Sequence, residues 1–474
     1  MYRLVILFTV TATCALLASC ASPQPKPSVS LSLVPATGDT IVIQNVSVFD
    51  SEALTVNPNM DVLIQRDRIV AVLPTGDLQS TAGTKVISGE GATLVPGLID
   101  MHGHISTTTG PTWEFGAPDP EAILRSYVYS GVTTVFDPAD ASDEAFGRRD
   151  QVARGDIIGP RIYTTGKMLT CSDGHPRSLV SALVPAWIAW YIEPQVATAI
   201  DTEDEAISEV DALADAGADA IKIAIDRIPL DSERMTMTVA TAVATHARTR
   251  GLRTVAHIGT TQDAIDAAEA GVALWVHGVY KERIPEESLA KLASYGIPMV
   301  TTSEVFDRYA RALEPIVPTK LERETVSKAV LDSFYPTPDD FELGALQSWL
   351  DLAVDTVDVR TDNVRRVHEA GITVLAGSDV QSGVFPGPSL HRELANLVKA
   401  GFTPAEAIRA ATLDPARFLA DNGELDTGKI APGLRADLLL VEGDPTQDIG
   451  ALANIREVVL NGNVVERMPV SNTP

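Results

Sequence analysis

The sequence contains little cysteine and few basic residues, and beyond its first twenty positions it has no apolar run long enough to cross a membrane. Three of its 474 residues are cysteine, too few for a fold that depends on disulfides. It has 37 basic and 63 acidic residues, and the formal net charge of −26 argues against nucleic acid or an anionic membrane surface as a partner. Hydrophobic residues still make up 45% of the chain. The length of the chain therefore predicts one barrel-sized domain with a smaller appendage, and this hydrophobic content is ordinary for a chain with a large core.

The first twenty residues have the pattern of an export signal. Arg3 supplies a positive start, and the apolar run 4–17 is too short for a mature membrane helix. The sequence Leu17-Ala18-Ser19-Cys20 then resembles a bacterial lipobox. We expect cleavage before Cys20 and a lipid anchor on it, with the protein in the bacterial cell envelope on the periplasmic side of the outer membrane. An ordinary signal peptide cut nearby is the alternative. Residues 21–39, rich in proline and serine, predict a flexible tether.

Eight short, apolar, β-branched runs alternate with helical patterns between residues 92 and 379. This alternation is typical of βα units around a parallel sheet, and eight units predict an α/β fold of the (β/α)8 barrel type. The runs are 94–104, 132–137, 161–169, 220–225, 253–258, 273–279, 297–302 and 372–379.

Shorter strand-like segments lie outside the barrel region at both ends of the chain. They cover residues 41–50, 61–72, 436–441 and 458–465, and the last contains the hairpin turn Asn461-Gly462. We expect the two sets to pair into one small discontinuous β-sandwich. The predicted domains are the sandwich parts 40–91 and 425–474 and the barrel 92–424.

Six polar residues belong to the apolar runs, at the end where a barrel collects its catalytic side chains. They are His102 and His104 in the first run, Lys222 in the fourth, His257 in the fifth, His277 in the sixth and Asp379 in the eighth. Taken singly, each has an ordinary explanation, such as a hydrogen-bonded core histidine, a paired lysine or a turn aspartate. Their common placement on successive strands instead favours a site for a divalent metal, because imidazole and carboxylate bind zinc and similar ions.

The residues around these positions resemble the amidohydrolase superfamily over about residues 40 to 467, nearest to its imidazolonepropionase-like and prolidase-like branch. The matching motifs are Leu94 to His104 (LVPGLIDMHGH), Gly217 to Ile223 (GADAIKI), the stretch from Ala264 to Gly278, Ala376 to Asp379 (AGSD), and Gly428 to Leu438 (GKIAPGLRADL).

The resemblance implies a catalytic centre with two divalent metals, most simply Zn²⁺. His102, His104 and Asp379 would hold one metal, His257 and His277 the other. Lys222, carboxylated by carbon dioxide, would bridge the two; a bare ammonium would be repelled by two dications, whereas a carbamate is an anionic oxygen donor.

The implied reaction is hydrolysis of a C–N bond in a small molecule, such as a dipeptide or an N-acyl amino acid. The metals would lower the pKa of a shared water so that it attacks as hydroxide, with Asp379 as general base and general acid. Three alternatives remain open: a one-metal deaminase or cyclic-amide hydrolase with an unmodified Lys222, a lactone or ester hydrolase on the same site, and an inactive barrel lipoprotein.

One departure from the family pattern lies in the fifth run. Relatives often carry a second His-x-His pair there, whereas this chain has His257-Ile258-Gly259. The missing histidine leaves the implied metal ligands intact but puts any substrate role of that position in doubt.

Two residues after the third run are candidates for substrate contact. His175, in Gly174-His175-Pro176-Arg177, resembles an element that faces the pocket in relatives. Arg177 could bind a substrate carboxylate with two N–H groups, and a surface arginine is the equal alternative. His391 is a candidate to support the eighth strand, whereas His246 and His368 fall inside helical patterns and should be structural. The aromatic loop 178–194 and the long insert 304–370 should shape specificity, and the loop is alternatively an interface of a homo-oligomer.

Overall fold

The computed structural model describes residues 27–34, 39–78, 83–114, 116–140, 144–183, 186–339, 344, 347–420 and 423–470. The predicted export signal, Cys20 and part of the tether therefore lie outside the described residues. Within those ranges no helix combines the length and the apolar character that a membrane crossing requires. Among the described residues Cys171 is buried and is a free cysteine.

The described residues contain nineteen β-strands in three hydrogen-bonded sheets. They are β1 Ser30–Val34, β2 Thr40–Asp50, β3 Thr55–Gln65, β4 Arg68–Pro74, β5 Lys85–Ser88, β6 Ala92–Pro96, β7 Leu98–Asp100, β8 Val132–Asp137, β9 Arg161–Thr164, β10 Met168–Thr170, β11 Ala197–Ala199, β12 Ile221–Ala224, β13 Thr254–His257, β14 Leu274–His277, β15 Met299–Thr301, β16 Val374–Ala376, β17 Leu438–Glu442, β18 Ile455–Leu460 and β19 Asn463–Met468.

Two of these sheets together form the predicted barrel. One holds β7, β8 and β9, and the other runs β11-β10-β12-β13-β14-β15-β16, with all paired strands parallel. The two sheets meet where Asp219 N donates to Thr164 O (2.9 Å) and where Met101 N donates to Ala376 O (3.0 Å). The (β/α)8 barrel is confirmed, and its first and last units are joined directly by backbone hydrogen bonds.

Two predicted runs do not form single strands. Run 94–104 divides at Gly97 into β6, which belongs to the other sheet, and β7, which belongs to the barrel. A Cβ at Gly97 would overlap the side chain of Thr133, so the crossing requires glycine. Run 161–169 divides into β9 and β10 at Gly166, whose φ of +64° interrupts the strand.

The third sheet brings together strands from both ends of the chain, which confirms the discontinuous sandwich. β17 pairs antiparallel with β6, and β1 pairs antiparallel with β19. Its interior is a buried aliphatic cluster that includes Ile41, Val62, Leu94, Leu438 and Val464. Each such side chain contributes roughly 1.5–3 kcal/mol when buried, so the two ends stabilise one another.

Sixteen α-helices connect the strands of the described part. They are α1 Pro120–Tyr129, α2 Ala145–Arg154, α3 Arg177–Leu183, α4 Ala186–Val196, α5 Glu203–Asp215, α6 Met237–Thr249, α7 Thr261–Ala270, α8 Glu286–Ser294, α9 Ser303–Ala310, α10 Lys320–Thr325, α11 Lys328–Asp332, α12 Gln347–Asp355, α13 Val357–Glu369, α14 Pro388–Lys399, α15 Pro404–Ala410 and α16 Leu413–Leu419. A 3-10 helix covers Ile449–Ala453.

The helix between the two later histidines begins and ends where the sequence predicts. Thr260 Oγ1 accepts a hydrogen bond from Asp263 N (3.1 Å), and the Asp263 carboxylate accepts one from Thr260 N (2.9 Å). This reciprocal capping satisfies two backbone donors at the start of α7. Gly271, with φ of +94°, ends the helix and turns the chain into β14.

Candidate metal centre

Four predicted histidine ligands and Asp379 lie together at one mouth of the barrel. Ring centroids are 5.0 Å apart for His102 and His104, 4.6 Å for His102 and His277, and 4.1 Å for His257 and His277. Asp379 Oδ1 lies 3.0 Å from His104 Nε2 and 3.6 Å from His102 Nε2, while its Oδ2 lies 3.7 Å from His277 Nδ1. The tertiary structure thus brings five of the six predicted residues into direct contact.

Three of these residues also have the spacing needed to hold a single cation. One ligand atom from each of His102, His277 and Asp379 lies within 4.8 Å of the other two, and all three residues are buried. This trio differs from the two ligand sets implied by the family resemblance, which assigned His102 and Asp379 to one metal and His277 to the other. The two implied positions are therefore adjacent parts of one cluster.

Backbone strain marks two members of the cluster. His277 and Asp379 have φ of 77° and 55°, a region that side-chain-bearing residues rarely occupy. Leu274 and Val276 face the barrel interior, so strict alternation would turn His277 outward. The positive φ breaks that alternation, and the His277 ring lies against His257 instead. Strain of this kind persists where the surrounding structure imposes it, commonly at functional sites.

Asp100 joins the strand that carries His102 to the strand that carries Asp379. Its Oδ1 accepts hydrogen bonds from the backbone N of His102 and of Ser378, both at 3.0 Å, and its Oδ2 accepts one from Ser378 Oγ at 2.5 Å. Asp100 is completely buried. It is a positioning residue that the sequence analysis missed, although it stands only two residues before His102.

Replacing Asp100 by alanine is expected to lower the free energy of unfolding by about 2–5 kcal/mol, because two buried backbone N–H groups lose their acceptor. Urea denaturation measures the change. Asp50→Ala is the matched control, since Asp50 Oδ1 also accepts from two backbone N atoms, of Glu52 and Ala53, but in an exposed turn where water replaces it. Equal losses of unfolding free energy in the two variants would contradict the positioning role assigned to Asp100.

Three further polar residues each hold one histidine of the cluster. Asp137 Oδ1 accepts from His104 Nδ1 (3.3 Å), and Thr302 Oγ1 lies 2.9 Å from His277 Nδ1. Asp226 Oδ2 accepts from His257 Nε2 (3.2 Å). Such partners orient a ligand ring and select its tautomer. Asp137 ends the second predicted run and Thr302 the seventh, so both share the strand-end placement of the candidate ligands, but that placement does not distinguish them from ordinary turn residues.

Burial and the neighbouring carboxylates shift the pKa values of the histidines in opposite directions. Burial works against protonation of His104, but its hydrogen bonds to Asp137 and Asp379 raise its pKa to about 10. Burial holds the pKa of His102 and of His277 well below the ordinary range. Neutral imidazoles with available nitrogens are the form that binds metal, so His102 and His277 are in that form, whereas His104 has to release a proton before it can bind.

Lys222 lies on the barrel strand β12 and is buried. It is 1% exposed, and among the described residues its Nζ has no hydrogen-bond partner. Burial lowers the pKa of Lys222 to about 7, against the opposing charges of Asp379 and Asp137. Its charge in turn lowers the pKa of His102, His257 and His277. A buried amine without a partner is costly, so this position fits a lysine that is modified and bound rather than a free ammonium.

In metal-free, carbon-dioxide-free buffer the buried Lys222 should make stability rise with pH. Its folded-state pKa of about 7 lies below the unfolded value of about 10.4, so between the two the unfolded chain binds more protons and unfolding becomes harder as pH increases. The contribution is at most about 1.4 kcal/mol per pH unit. Urea denaturation from about pH 7 to 9, with Lys222→Met as reference, isolates it. If the free energy of unfolding depends on pH in the same way in wild type and in Lys222→Met, the lowered pKa of Lys222 is contradicted.

The two candidate substrate residues differ in their surroundings. The His175 ring lies 4.8 Å from that of His257, next to the cluster, and burial holds the pKa of His175 well below its ordinary value. Arg177 instead binds within its own loop: its guanidinium donates to Glu193 Oε2 (3.0 Å) and to Ser172 O (3.1 Å). N–H groups of Arg177 that were expected to bind a substrate carboxylate are therefore already hydrogen-bonded, and the carboxylate that they bind is that of Glu193.

The three remaining histidines contact groups outside the cluster. His246 Nε2 lies 2.8 Å from Asp211 Oδ1, His368 stacks on Phe402 at 3.8 Å, and His391 Nε2 lies 2.8 Å from Ser130 O. His391 thus supports the end of α1 rather than the last barrel strand.

The predicted insert is helical and partly lines the site. It contains α9 to α13, and Phe306 from α9 lies 5.9 Å from the His277 ring. The aromatic loop forms α3 and α4, where Trp190 is 70% exposed. The side chain of Trp187 lies outside the described part.

Comparisons with known proteins agree with the fold and with the motifs. The family model described as "Amidohydrolase family" matches residues 93–465. An imidazolonepropionase of Deinococcus deserti is 38% identical over 86 residues, which cover 18% of this chain and 21% of that protein. An adenine deaminase of Paracoccus denitrificans is 34% identical over 120 residues, covering 25% of this chain and 19% of that protein. The chain thus spans about a fifth of the length of these two relatives.

A solved structure extends the likeness to almost the whole fold. A Xaa-Pro dipeptidase with methionine in its active site superposes with a TM-score of 0.72 at 23% identity, covering 90% of this chain and 99% of that one. At this identity the likeness establishes the fold alone. The barrel, the ligand positions and the family match over most of the chain lead to one conclusion: the protein belongs to the amidohydrolase family.

Proposed function

We propose that this chain is a two-metal hydrolase of C–N bonds with a carbamate on Lys222, acting on dipeptides or N-acyl amino acids. The observation that carries the proposal is the buried Lys222 Nζ, which lies among metal-binding side chains without a partner in the described structure. With its pKa lowered to about 7, much of the amine is neutral near neutral pH. A neutral amine can attack carbon dioxide: a C–N bond forms as one C=O π bond opens onto oxygen, an N–H proton leaves to solvent, and the product is an anionic carbamate.

The donor set fits two divalent cations of the zinc type. His102, His104 and Asp379 would hold one and His257 and His277 the other, with modified Lys222 between them. When bound, the metals would polarise a carbonyl and lower the pKa of water. Asp379 accepts a proton from the attacking water and donates it to the leaving nitrogen. His175 would hydrogen-bond the substrate; its place beside His257 and its lowered pKa support this role.

The proposed substrate class is supported by the activities of proteins with a similar fold and by the side chains of the site. Proteins of this fold include the Xaa-Pro dipeptidase and an A. niger ochratoxinase, the latter with a TM-score of 0.69 at 19% identity. A one-metal deaminase is the rival, since adenine deaminases are among the relatives. It would leave Lys222 as a buried amine whose Nζ has no hydrogen-bond partner in the described structure, which the cost of desolvating a polar group disfavours.

The deciding experiment combines metal analysis with a substrate panel. We expect two metals per chain, a carbamate signal on Lys222 after growth with ¹³C-bicarbonate, and turnover of some dipeptides or N-acyl amino acids. Cyclic amides, adenine and lactones complete the panel. One metal per chain with a free amine and turnover of adenine or a cyclic amide would overturn the proposal in favour of the rival. A metal-replete protein inert to every compound would favour a non-catalytic lipoprotein.

We further propose that the protein is anchored by lipid on Cys20 to the outer membrane, facing the periplasm. Support comes from the lipobox-like Leu17-Ala18-Ser19-Cys20 and from the tether that follows it. Cys20→Ser should move the protein from the membrane fraction to the soluble fraction and abolish labelling with a fatty-acid analogue. Unchanged membrane association of this variant would contradict the anchor.

A further inference from the structure

Gly259 leaves a space beside the metal centre that an acidic side chain occupies. It stands two residues after His257, where a His-x-His pair would place its second histidine. A Cβ at Gly259 would lie 2.5 Å from Asp226 Oδ1 and 2.6 Å from both Oδ2 and Cγ of Asp226. Its φ is not among the positive values, so a substitution is opposed by lack of space and not by the backbone. The glycine and the aspartate therefore depend on each other.

Asp226 is held at that place by several donors. Its Oδ1 accepts from Lys281 Nζ (2.6 Å) and from Arg227 N (2.7 Å), and its Oδ2 accepts from His257 Nε2 (3.2 Å) and from the Tyr280 hydroxyl. The Asp226 side chain is 1% exposed and the Lys281 side chain 9%. A buried carboxylate with a cation and several hydrogen bonds is a rigid group, because leaving any partner unsatisfied is costly.

The same arrangement connects the strands of both ligands of one metal position. Tyr280 and Lys281 follow β14, whose last residue is His277, and their backbone N atoms both donate to Gly259 O at 3.1 Å. The Tyr280 ring stacks on Phe306 at 4.1 Å. The loop after β14 is thus hydrogen-bonded to the loop after β13, and Asp226 contacts both loops.

We propose that Asp226, seated in the space left by Gly259, is the positioning residue that makes His257 a metal ligand. It holds the ring through Nε2–H and leaves Nδ1 as the nitrogen available for binding. Occupation of the His257 and His277 metal position depends on the Asp226–Gly259 pair. This inference rests on the proposed two-metal function and adds a requirement that the ligand set alone does not impose.

The test is titration of the metal-stripped full-length protein with Zn²⁺ by calorimetry. Comparison of the wild-type titration with that of His257→Ala identifies which of the bound Zn²⁺ equivalents depends on His257. Asp226→Ala should weaken that equivalent by about 10–100-fold, the usual effect of losing a partner of a metal-binding histidine. Gly259→Ala should weaken it similarly while keeping every polar group, by displacing the carboxylate. Asp226→Asn, whose amide oxygen can still accept from His257, should lie between wild type and Asp226→Ala.

The matched control is Asp211→Ala. Asp211 also contacts a histidine, His246 at 2.8 Å, on helices outside the barrel, so this variant should bind both equivalents like wild type. Wild-type affinity in both Asp226→Ala and Gly259→Ala would overturn the inference and leave the proposed function standing. A wild type that binds both equivalents yet hydrolyses no compound of the panel would overturn the proposed function, and the titrations would still decide the role of Asp226. If Asp226→Ala does not fold, Gly259→Ala alone decides.

Discussion

Replacing Asp379 by asparagine is expected to preserve metal binding and to reduce kcat by roughly 10²- to 10⁴-fold, the usual contribution of a general acid–base group. Asp379 lies 3.0 Å from His104 and 3.6 Å from His102, and the amide retains an oxygen at that place. The amide cannot take a proton from water or return it to the leaving nitrogen. Metal content and steady-state rates on the best substrate of the panel measure the two effects separately.

Asp140→Asn is the control for this variant. Asp140 is a buried carboxylate that accepts a hydrogen bond from Ser106 Oγ at 2.9 Å, in the loop after β8. It should leave kcat within a few-fold of wild type, since no role in proton transfer is assigned to it. A near-normal rate for Asp379→Asn, with metal still bound, would remove Asp379 from the chemistry and leave it as a ligand only.

If Lys222 carries the proposed carbamate, replacing it by alanine should remove a ligand that the two metals would share. We expect the affinity for the second metal to fall by more than the roughly 10–100-fold typical of changes outside the ligand set, and hydrolysis to fall with it. The alanine leaves a cavity among His102, His257 and His277, where a small carboxylate such as acetate could supply the missing oxygens. Acetate should therefore restore part of both metal binding and rate in Lys222→Ala.

Lys222→Met separates this chemistry from packing. Methionine fills the volume of the lysine stem and leaves no room for acetate, so it should lose metal as alanine does but show no rescue. Two metals and a wild-type rate in Lys222→Ala without any added carboxylate would exclude the carbamate bridge. The same measurements on wild type in bicarbonate-free buffer report whether the modification forms reversibly.

The barrel and most of its ligand positions could be predicted because both follow from local patterns. Eight apolar runs separated by helices specify parallel βα units, and strand ends in such a barrel converge. His257 and His277 were identified by that rule, and Lys222 by being a charge between isoleucines. Asp137 and Thr302 end strands too, but carboxyl and hydroxyl groups are common in loops, and no local signal separates a partner of a ligand from a turn residue.

Several contacts could not be predicted because they join positions far apart in sequence. Asp100 meets Ser378 across the barrel closure, and Arg177 is neutralised by Glu193 through the fold of its own loop. The break of the first run at Gly97 depends on Thr133 in a neighbouring strand. None of these partners is visible in the spacing of the residues themselves.

By itself the sequence determined the class of fold, the family motifs and the identity of the side chains that gather at the barrel mouth, since hydrophobic periodicity and strand-end placement are local properties. Only the tertiary structure decided how those side chains are used. It turns His277 inward through a positive φ, seats Asp226 where Gly259 leaves room, and buries Lys222 away from any partner in the described structure. The reason is physical: burial, desolvation and hydrogen-bond geometry depend on neighbours that the fold brings from other strands.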